Sequence, residues 1–204
     1  MGVREDMRTV KLKEFVKVEQ GENPERLMKK IQQEVVFYDQ ESFETDGVYV
    51  DKREGHHLYN GDLAGYTKNF IIRKMQQTGD IIISLATEQA VIGSPANNGK
   101  VYTLNFVKLT VEDKETFDPY YLLYLFNESS SIKRQLEKNR QGSSGIKRLT
   151  LRNLENLEIP VRDAETHQKI GQAYKELLEL EKNLEEYKSG MKIAVKSLLE
   201  KEIN

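Results

Sequence analysis

The sequence contains no cysteine and no tryptophan, and only four of its 204 residues are proline. Without cysteine the chain has no disulfide, no thiolate metal site and no cysteine nucleophile. No apolar run approaches the roughly 18 to 20 residues that span a bilayer, and the charged residues 1–7 are not followed by the apolar segment of a secretory signal. We therefore expect a soluble, cytoplasmic protein that has no contact with a membrane.

Patterns of catalytic and metal-binding residues are also lacking. The three histidines, at positions 56, 57 and 167, have no carboxylates at a spacing diagnostic of a metal site, and no Gly-Lys-Ser/Thr phosphate loop is present. The tetrapeptide Asp118-Pro119-Tyr120-Tyr121 is similar to the base-holding motif of adenine methyltransferases. It lacks the second proline, and an Asp N-cap followed by proline at the first helical position explains it better. The sequence predicts no catalytic residue, no metal site and no cofactor.

The net charge of −2 conceals a polarised distribution. Between Ile132 and Arg152 seven basic residues stand against one acid, a net charge of +6. Between Glu22 and Asp51 eight acids stand against three bases, a net charge of −5. A basic face on an acidic body is typical of a protein that binds a polyanion and docks on other protein elsewhere. Solvated surface charge is the alternative.

The basic segment carries side chains suited to both parts of DNA recognition. Lys and Arg bind phosphates, and Arg and Gln also form paired hydrogen bonds with base edges in the major groove. Part of the segment is a glycine-rich loop, residues 141–145, which is able to enter a groove. The candidate DNA-binding residues are Lys133, Arg134, Lys138, Arg140, Gln141, Ser143, Lys147 and Arg148.

Short strand and helix patterns precede the tail. Alternating or continuous apolar residues predict strands at Val10–Val18, Val35–Tyr38, Val48–Val50, Phe70–Ile72, Asp80–Leu85 and Val101–Leu109. Capping and proline signals predict helices from Pro24 to about Gln33, from Pro119 through Phe126, and from Ser130 to Arg140. We expect one α+β (mixed α/β) domain over residues 1–163, with Pro160 marking its boundary, and a helical segment over residues 164–204.

The tail has the strongest periodicity in the sequence. Apolar residues recur at the a and d positions of a heptad repeat for more than four heptads, flanked by Lys and Glu. This pattern predicts a coiled-coil helix from about Glu165 to Ile203, about 60 Å long, whose seam needs a partner. The alternative is a helix that folds back on its own domain. The predicted dimerisation residues are Ile170, Ala173, Leu177, Leu180, Leu184, Tyr187, Met191, Ala194 and Leu198.

Several segments, in order, resemble the specificity subunit of Type I restriction-modification enzymes. The most specific is the block that begins Gln141-Gly142-Ser143-Ser144-Gly145-Ile146-Lys147-Arg148 and continues to Ile170. The other matching pieces are Val10–Gly21, Gly79–Ser84 and Tyr120–Phe126. The resemblance implies a target-recognition domain followed by a helical spacer. It also implies a non-catalytic subunit that directs adenine methyltransferase and restriction/translocase subunits to a bipartite sequence in double-stranded DNA.

Complete members of that family have two recognition domains and two spacers, whereas this chain has one of each. Two copies paired through antiparallel helices would restore a bipartite reader, and two-fold symmetry suits a palindrome. The hypothesis is therefore a homodimer that recognises an interrupted palindrome. The alternative is a coiled-coil interaction protein, or an inactive remnant, that docks on methyltransferase subunits without binding DNA.

Overall fold

A computed structural model describes residues 8–30, 35–50, 73–111, 117–139 and 149–203. The described strands are β1 (Arg8–Lys11), β2 (Val16–Gln20), β3 (Phe37–Tyr38), β4 (Ile81–Ser84), β5 (Ala90–Ile92), β6 (Val101–Tyr102), β7 (Phe106–Val111) and β8 (Glu158–Val161). The described α-helices are α1 (Pro24–Met28), α2 (Gln40–Gly47), α3 (Pro119–Asn127), α4 (Ser130–Asn139), α5 (Leu151–Glu155) and α6 (Ala164–Ile203). The chain thus has the predicted mixed α/β fold with a long C-terminal helix.

The described strands form one four-stranded sheet and two strand pairs. The larger sheet has the order β2-β7-β4-β5, and all of its neighbours are antiparallel. β1 pairs with β8 in antiparallel register, and β3 pairs with β6 in parallel. Since β8 immediately precedes α6, the β1–β8 pair ties the start of the described chain to the root of the long helix.

The central strand β4 is buried on both faces, which accounts for its continuous apolar sequence. Ile81 and Ile83 pack into the main core together with α3, while Ile82 packs on the opposite face in a second cluster. The second cluster is largely aromatic and contains Tyr38, Phe43, Val91, Tyr102 and Phe106. The prediction of a strand buried on both faces is confirmed.

Four predicted strands were wrong in extent or in kind. Val35–Tyr38 is reduced to the two residues of β3. Val10–Val18 is two strands separated by a 3-10 turn at Leu12–Glu14, and the halves join different sheets. Val101–Leu109 is likewise interrupted between β6 and β7. Val48–Val50 is not a strand, because it forms the turn that ends α2. The predicted strand Phe70–Ile72 lies outside the described residues.

The acidic stretch contains a helix, α2, that the sequence patterns did not indicate. Asp39 caps it by accepting from the Ser42 backbone N–H at 2.9 Å. Asp46 is buried and accepts from the Tyr38 hydroxyl at 2.6 Å, from Asn97 Nδ2 at 2.7 Å and from the Ser94 backbone N–H at 3.0 Å. Burial raises the pKa of Asp46, although these donors act in the opposite direction. Part of the acidic stretch is therefore internal structure and not a surface patch.

The helices with clear capping signals begin where they were predicted. Asp118 accepts from the backbone N–H groups of Tyr120 and Tyr121, and Pro119 opens α3. By contrast, α1 ends at Met28 and so is shorter than predicted. Pro160 lies inside β8, so it does not mark the end of a structural element.

Candidate nucleic-acid interface

Helix α4 carries the described part of the basic segment. Its apolar residues Ile132 and Leu136 are buried, since they lie four residues apart on one face. Lys133, Arg134 and Lys138 are all exposed. Arg134 and Lys138 lie on the opposite side of the helix, and Lys133 lies at the edge of the buried face, where it lines a groove with Leu136. All three predicted residues thus lie on the solvent-exposed part of one helix, which we call the basic face of α4.

Lys133 and Arg134 differ in their local contacts. Lys133 Nζ lies 3.7 Å from Glu128 Oε2, and both side chains are about half exposed. Arg134 donates from Nε to the Ser130 carbonyl at 3.2 Å and from Nη2 to the Ser130 hydroxyl at 3.3 Å. The ion pair between Lys133 and Glu128 is exposed, and exposed ion pairs contribute about 0 to 1 kcal/mol to stability. These weak contacts leave both cations available to exchange their partners for phosphate oxygens.

Two side-chain amides fix α4 against the rest of the domain. Gln135 donates to the Glu158 carbonyl at 2.9 Å and accepts from the Glu158 backbone N–H at 2.8 Å, so it pairs with β8 as a strand residue would. Asn153 of α5 donates to the Asn139 carbonyl at the end of α4, at 2.6 Å. Sequence reasoning missed both residues, because an amide gives no sign of a backbone partner many residues away.

The remaining candidate residues lie outside the described residues, so their placement stays a prediction; they are Arg140, Gln141, Ser143, Lys147 and Arg148. Both ends of this segment are nevertheless anchored. It leaves α4 at Asn139 and returns at Leu149, which is buried. Thr150 then caps α5 by accepting from the Asn153 backbone N–H at 3.2 Å. The two residues that flank the segment, Asn139 and Leu149, therefore both belong to parts of the domain that are held by tertiary contacts.

A groove of about 360 Å³ runs beside α4, between this helix and the turn that joins β4 to β5. Lys133 lines it together with Glu137 of α4 and Glu88 of the turn. Its charge is mixed, so it does not extend the basic face. Asn127 at the end of α3 holds the adjacent strand by bonding both the backbone N–H and the carbonyl of Ala90, at 2.8 and 2.9 Å.

The root of α6 is packed tightly into the domain. His167 is fully buried and packs against the rings of Phe117 and Tyr121, at centroid distances of 4.4 and 4.3 Å. Its Nε2 accepts from the Arg162 backbone N–H at 2.9 Å, which gives this histidine a structural role.

Gly171 lies against the Asp118 carboxylate that caps α3. Burial raises the pKa of Asp118, while the backbone donors, Lys175 and His167 act to lower it.

The long helix continues beyond this packed root. The residues of α6 that face the domain are His167, Gly171 and Tyr174, with Ile170 and Leu178 partly buried against the core. The alternative of a helix folding back on its own domain thus describes the first four turns only. Of the predicted dimerisation residues, Ile170 belongs to this packed face. The exposed ones are Ala173, Leu177, Leu180, Leu184, Tyr187, Met191, Ala194 and Leu198.

Within the described parts of the chain, no group of three or more His, Asp or Glu residues could hold a metal ion. No helix there is both long and apolar enough to cross a bilayer.

Residues 4–188 match the model of the Type I restriction modification DNA specificity domain. The chain belongs to this family. The match covers both the globular part and most of α6, and members of this family are DNA-recognition components without catalytic activity. The expectation of a non-enzymatic DNA-recognition protein is therefore confirmed at the level of the family. No curated protein matches the sequence.

The fold is similar to those of solved specificity subunits. An HsdS subunit from Thermoanaerobacter tengcongensis matches with TM-score 0.54 and 16% identity, covering 90% of this chain and 40% of its own. The S subunit of a Type I restriction-modification system from M. genitalium matches with TM-score 0.52 and 13% identity, covering 96% and 45%. A structure described as showing complex assembly and conformational transition of the type I R-M system matches with TM-score 0.57 and 15% identity, covering 97% and 45%. The chain thus spans less than half the length of these proteins.

Proposed function

We propose that this chain is a sequence-specific DNA-binding subunit of a cytoplasmic Type I restriction-modification system, and that it acts as a homodimer. In this proposal it directs methyltransferase and restriction/translocase subunits to an interrupted palindrome in double-stranded DNA. Each copy contributes one recognition domain, and the paired helices set the gap between half-sites. The observation that carries the proposal is the family match, because it spans the recognition domain and the helix together.

The geometry of α6 supports the pairing. Tyr187 is 68% exposed and Leu184 is 58% exposed, although both are large apolar residues of the heptad seam. Exposed apolar surface of this extent, arranged at a and d positions, is typical of a helix that binds another helix. A division into a recognition domain over residues 1–163 and a dimerisation segment over residues 164–204 remains part of the proposal.

The basic face of α4 supports DNA binding. It carries exposed Lys133, Arg134 and Lys138, and the helix leads at Asn139 into the glycine-rich segment. In the proposal these side chains bind phosphates, which positions the domain on the duplex. Base reading falls to the segment 140–148, whose Arg and Gln residues suit base edges.

Selection from random DNA tests the proposal, using the purified chain alone and together with methyltransferase subunits. We expect enrichment of an interrupted palindrome, and an affinity that falls steeply with salt because bound phosphates release counterions. A dimer that shows no salt-dependent affinity for DNA under either condition would favour the alternative, a coiled-coil interaction protein.

A matched pair of variants tests the basic face. Lys133→Ala with Lys138→Ala should weaken binding and lower the slope of log affinity against log salt by about 2, or about 0.9 for each phosphate that is no longer neutralised. Lys29→Ala with Lys30→Ala removes the same charge from the acidic stretch, where both lysines are also exposed. If both double variants changed the DNA affinity and the salt slope equally, α4 would not be part of the DNA interface.

A further inference from the structure

The flanks of the heptad seam carry charges that discriminate between ways of pairing two copies of α6. With Ile170 at position a and Ala173 at position d, the e positions are Tyr174, Glu181, Lys188, Val195 and Glu202. The e and g residues flank the seam, so they set the orientation and register of a helix pair. All but Tyr174 are exposed in the single chain and thus open to a second helix.

These flanking charges disfavour a parallel pair. In a parallel coiled coil each g residue faces the e residue of the next heptad on the other helix. Glu176, at g, would then face the partner's Glu181, and no pair of opposite charges would compensate. In an antiparallel pair e residues face e residues, which allows Glu181 to face the partner's Lys188.

In one antiparallel register, two symmetry-related pairs form between Glu181 of one copy and Lys188 of the other. When Leu184 packs in the same layer as the partner's Tyr187, Glu181 lies near the partner's Lys188, and two-fold symmetry repeats the pair. A shift by one heptad in either direction instead places Glu181 near the partner's Glu181, or Lys188 near the partner's Lys188. In the favoured register Leu177 also packs against the partner's Ala194, so large and small residues are matched.

The end of α6 carries a second apolar stripe outside the seam. Val195, Leu199 and Ile203 recur every four residues and are 48%, 58% and 83% exposed. The stripe lies on the same side of α6 as Tyr174. Near the start of the helix, Tyr174 packs against the domain, with its ring centroid 5.8 Å from that of Tyr124 in α3. Between root and tip this side is polar, with Glu181, Glu185, Lys188 and Lys192.

In the favoured register the apolar stripe reaches the other copy's domain. Val195, at an e position, faces the partner's Tyr174, and Leu199 and Ile203 continue towards the start of the partner's α6. The partner's α3 packs along that part of the helix. The polar middle of the same side meets no domain, because it lies between the two roots. The apolar residues thus occur only where the register would bring the tip of one copy to the root of the other.

For the antiparallel pair already hypothesised, we infer the register that joins Glu181 to the partner's Lys188, and we infer that the stripe Val195, Leu199 and Ile203 docks on the partner's α3–α6 junction. This inference rests on the homodimer of the proposed function. It adds a second contact through which each helix tip holds the other copy's recognition domain.

Single-cysteine variants of the full chain test the register, since the natural sequence has no cysteine. Under mild oxidation we expect Glu181→Cys and Lys188→Cys each to stay uncross-linked alone, and to form a disulfide-linked dimer when mixed. Cross-linking of either variant with itself would overturn the register but leave the homodimer standing. A wild-type chain that sediments as a monomer, alone and with methyltransferase subunits, would contradict both.

A pair of variants tests the tip contact. Leu199→Lys with Ile203→Lys should weaken dimerisation at least tenfold in sedimentation equilibrium, and should increase hydrogen exchange in the partner's α3. Ile193→Lys serves as the control, because Ile193 is 70% exposed but lies on the side of α6 away from the stripe. Equal dissociation constants for the tip variant and the wild type, with helicity unchanged in both, would overturn the docking of the stripe.

Discussion

Replacing each of the two glycines of α6 with alanine should change the free energy of unfolding in opposite directions. A Cβ atom on Gly171 would lie 2.5 Å from Asp118 Cγ and closer still to Oδ1, whereas a Cβ atom on Gly190 would meet no atom within 4 Å. Gly171→Ala therefore forces α6 away from α3 or displaces the Asp118 carboxylate. That carboxylate accepts from the backbone N–H groups of Tyr120 and Tyr121 at 2.8 and 3.2 Å.

The magnitudes follow from these contacts. Overpacking costs about 1 to 3 kcal/mol and loss of an N-cap about 1, while alanine gains about 1 kcal/mol over glycine inside a helix. The free energy of unfolding should therefore fall by about 1 to 3 kcal/mol in Gly171→Ala. Gly190→Ala should instead raise helix stability by up to about 1 kcal/mol.

Urea unfolding followed by circular dichroism at 222 nm measures both variants. We expect a lower midpoint for Gly171→Ala, with an unchanged denaturant slope, and a midpoint equal to or above that of the wild type for Gly190→Ala. If Gly171→Ala were neutral or stabilising, α6 could not pack on the Asp118 cap as closely as described. The root of the helix would then not be fixed to the domain.

Two further predictions concern charged side chains. Lys108 Nζ lies 2.8 Å from Asp80 Oδ1, and both side chains are mostly buried, at 12% and 6% exposed. Lys108→Met should therefore lower the free energy of unfolding in urea by about 3 to 5 kcal/mol, and a loss below about 1 kcal/mol would refute a buried ion pair. Asp163 accepts from the Thr166 N–H and hydroxyl, and these bonds lower its pKa below the ordinary 3.8. Its stabilising effect should be present above about pH 4 and lost as the pH falls through the lowered pKa, which a carboxyl NMR titration measures; a midpoint at or above 3.8 would contradict it.

Local signals were sufficient to predict some elements. Asp118 and Pro119 mark the start of α3, because a cap and a preset φ act within one turn. The apolar run after Gly79 predicts β4, since burial on both faces leaves no polar position. The heptad repeat predicts α6 almost to the residue. Each of these signals lies within the sequence of the element that it predicts, or directly beside it.

Elements that depend on distant partners could not be predicted. The alternation through Val10–Val18 is the same on both sides of the 3-10 turn, and only pairing with β8 and β7 separates the strand into two. In α2, burial of Asp46 requires Tyr38, Ser94 and Asn97, so an acidic residue that suggests a surface position is internal. In the candidate site, α4 follows from its own amphipathic pattern, whereas the contact of Gln135 with Glu158 depends on tertiary structure.

The two faces of α6 link dimer geometry to DNA recognition. His167 and Gly171 fix one face to the domain, and Ile170 belongs both to that face and to the seam, so the packing of the root sets the direction of the seam relative to the basic face of α4. A helix pair built on this seam would then define where the second recognition domain lies. A shift of the pair by one heptad would move the domains by about 10 Å, or about three base pairs of duplex. The charges at Glu181 and Lys188 would therefore determine which half-site spacing the dimer accepts.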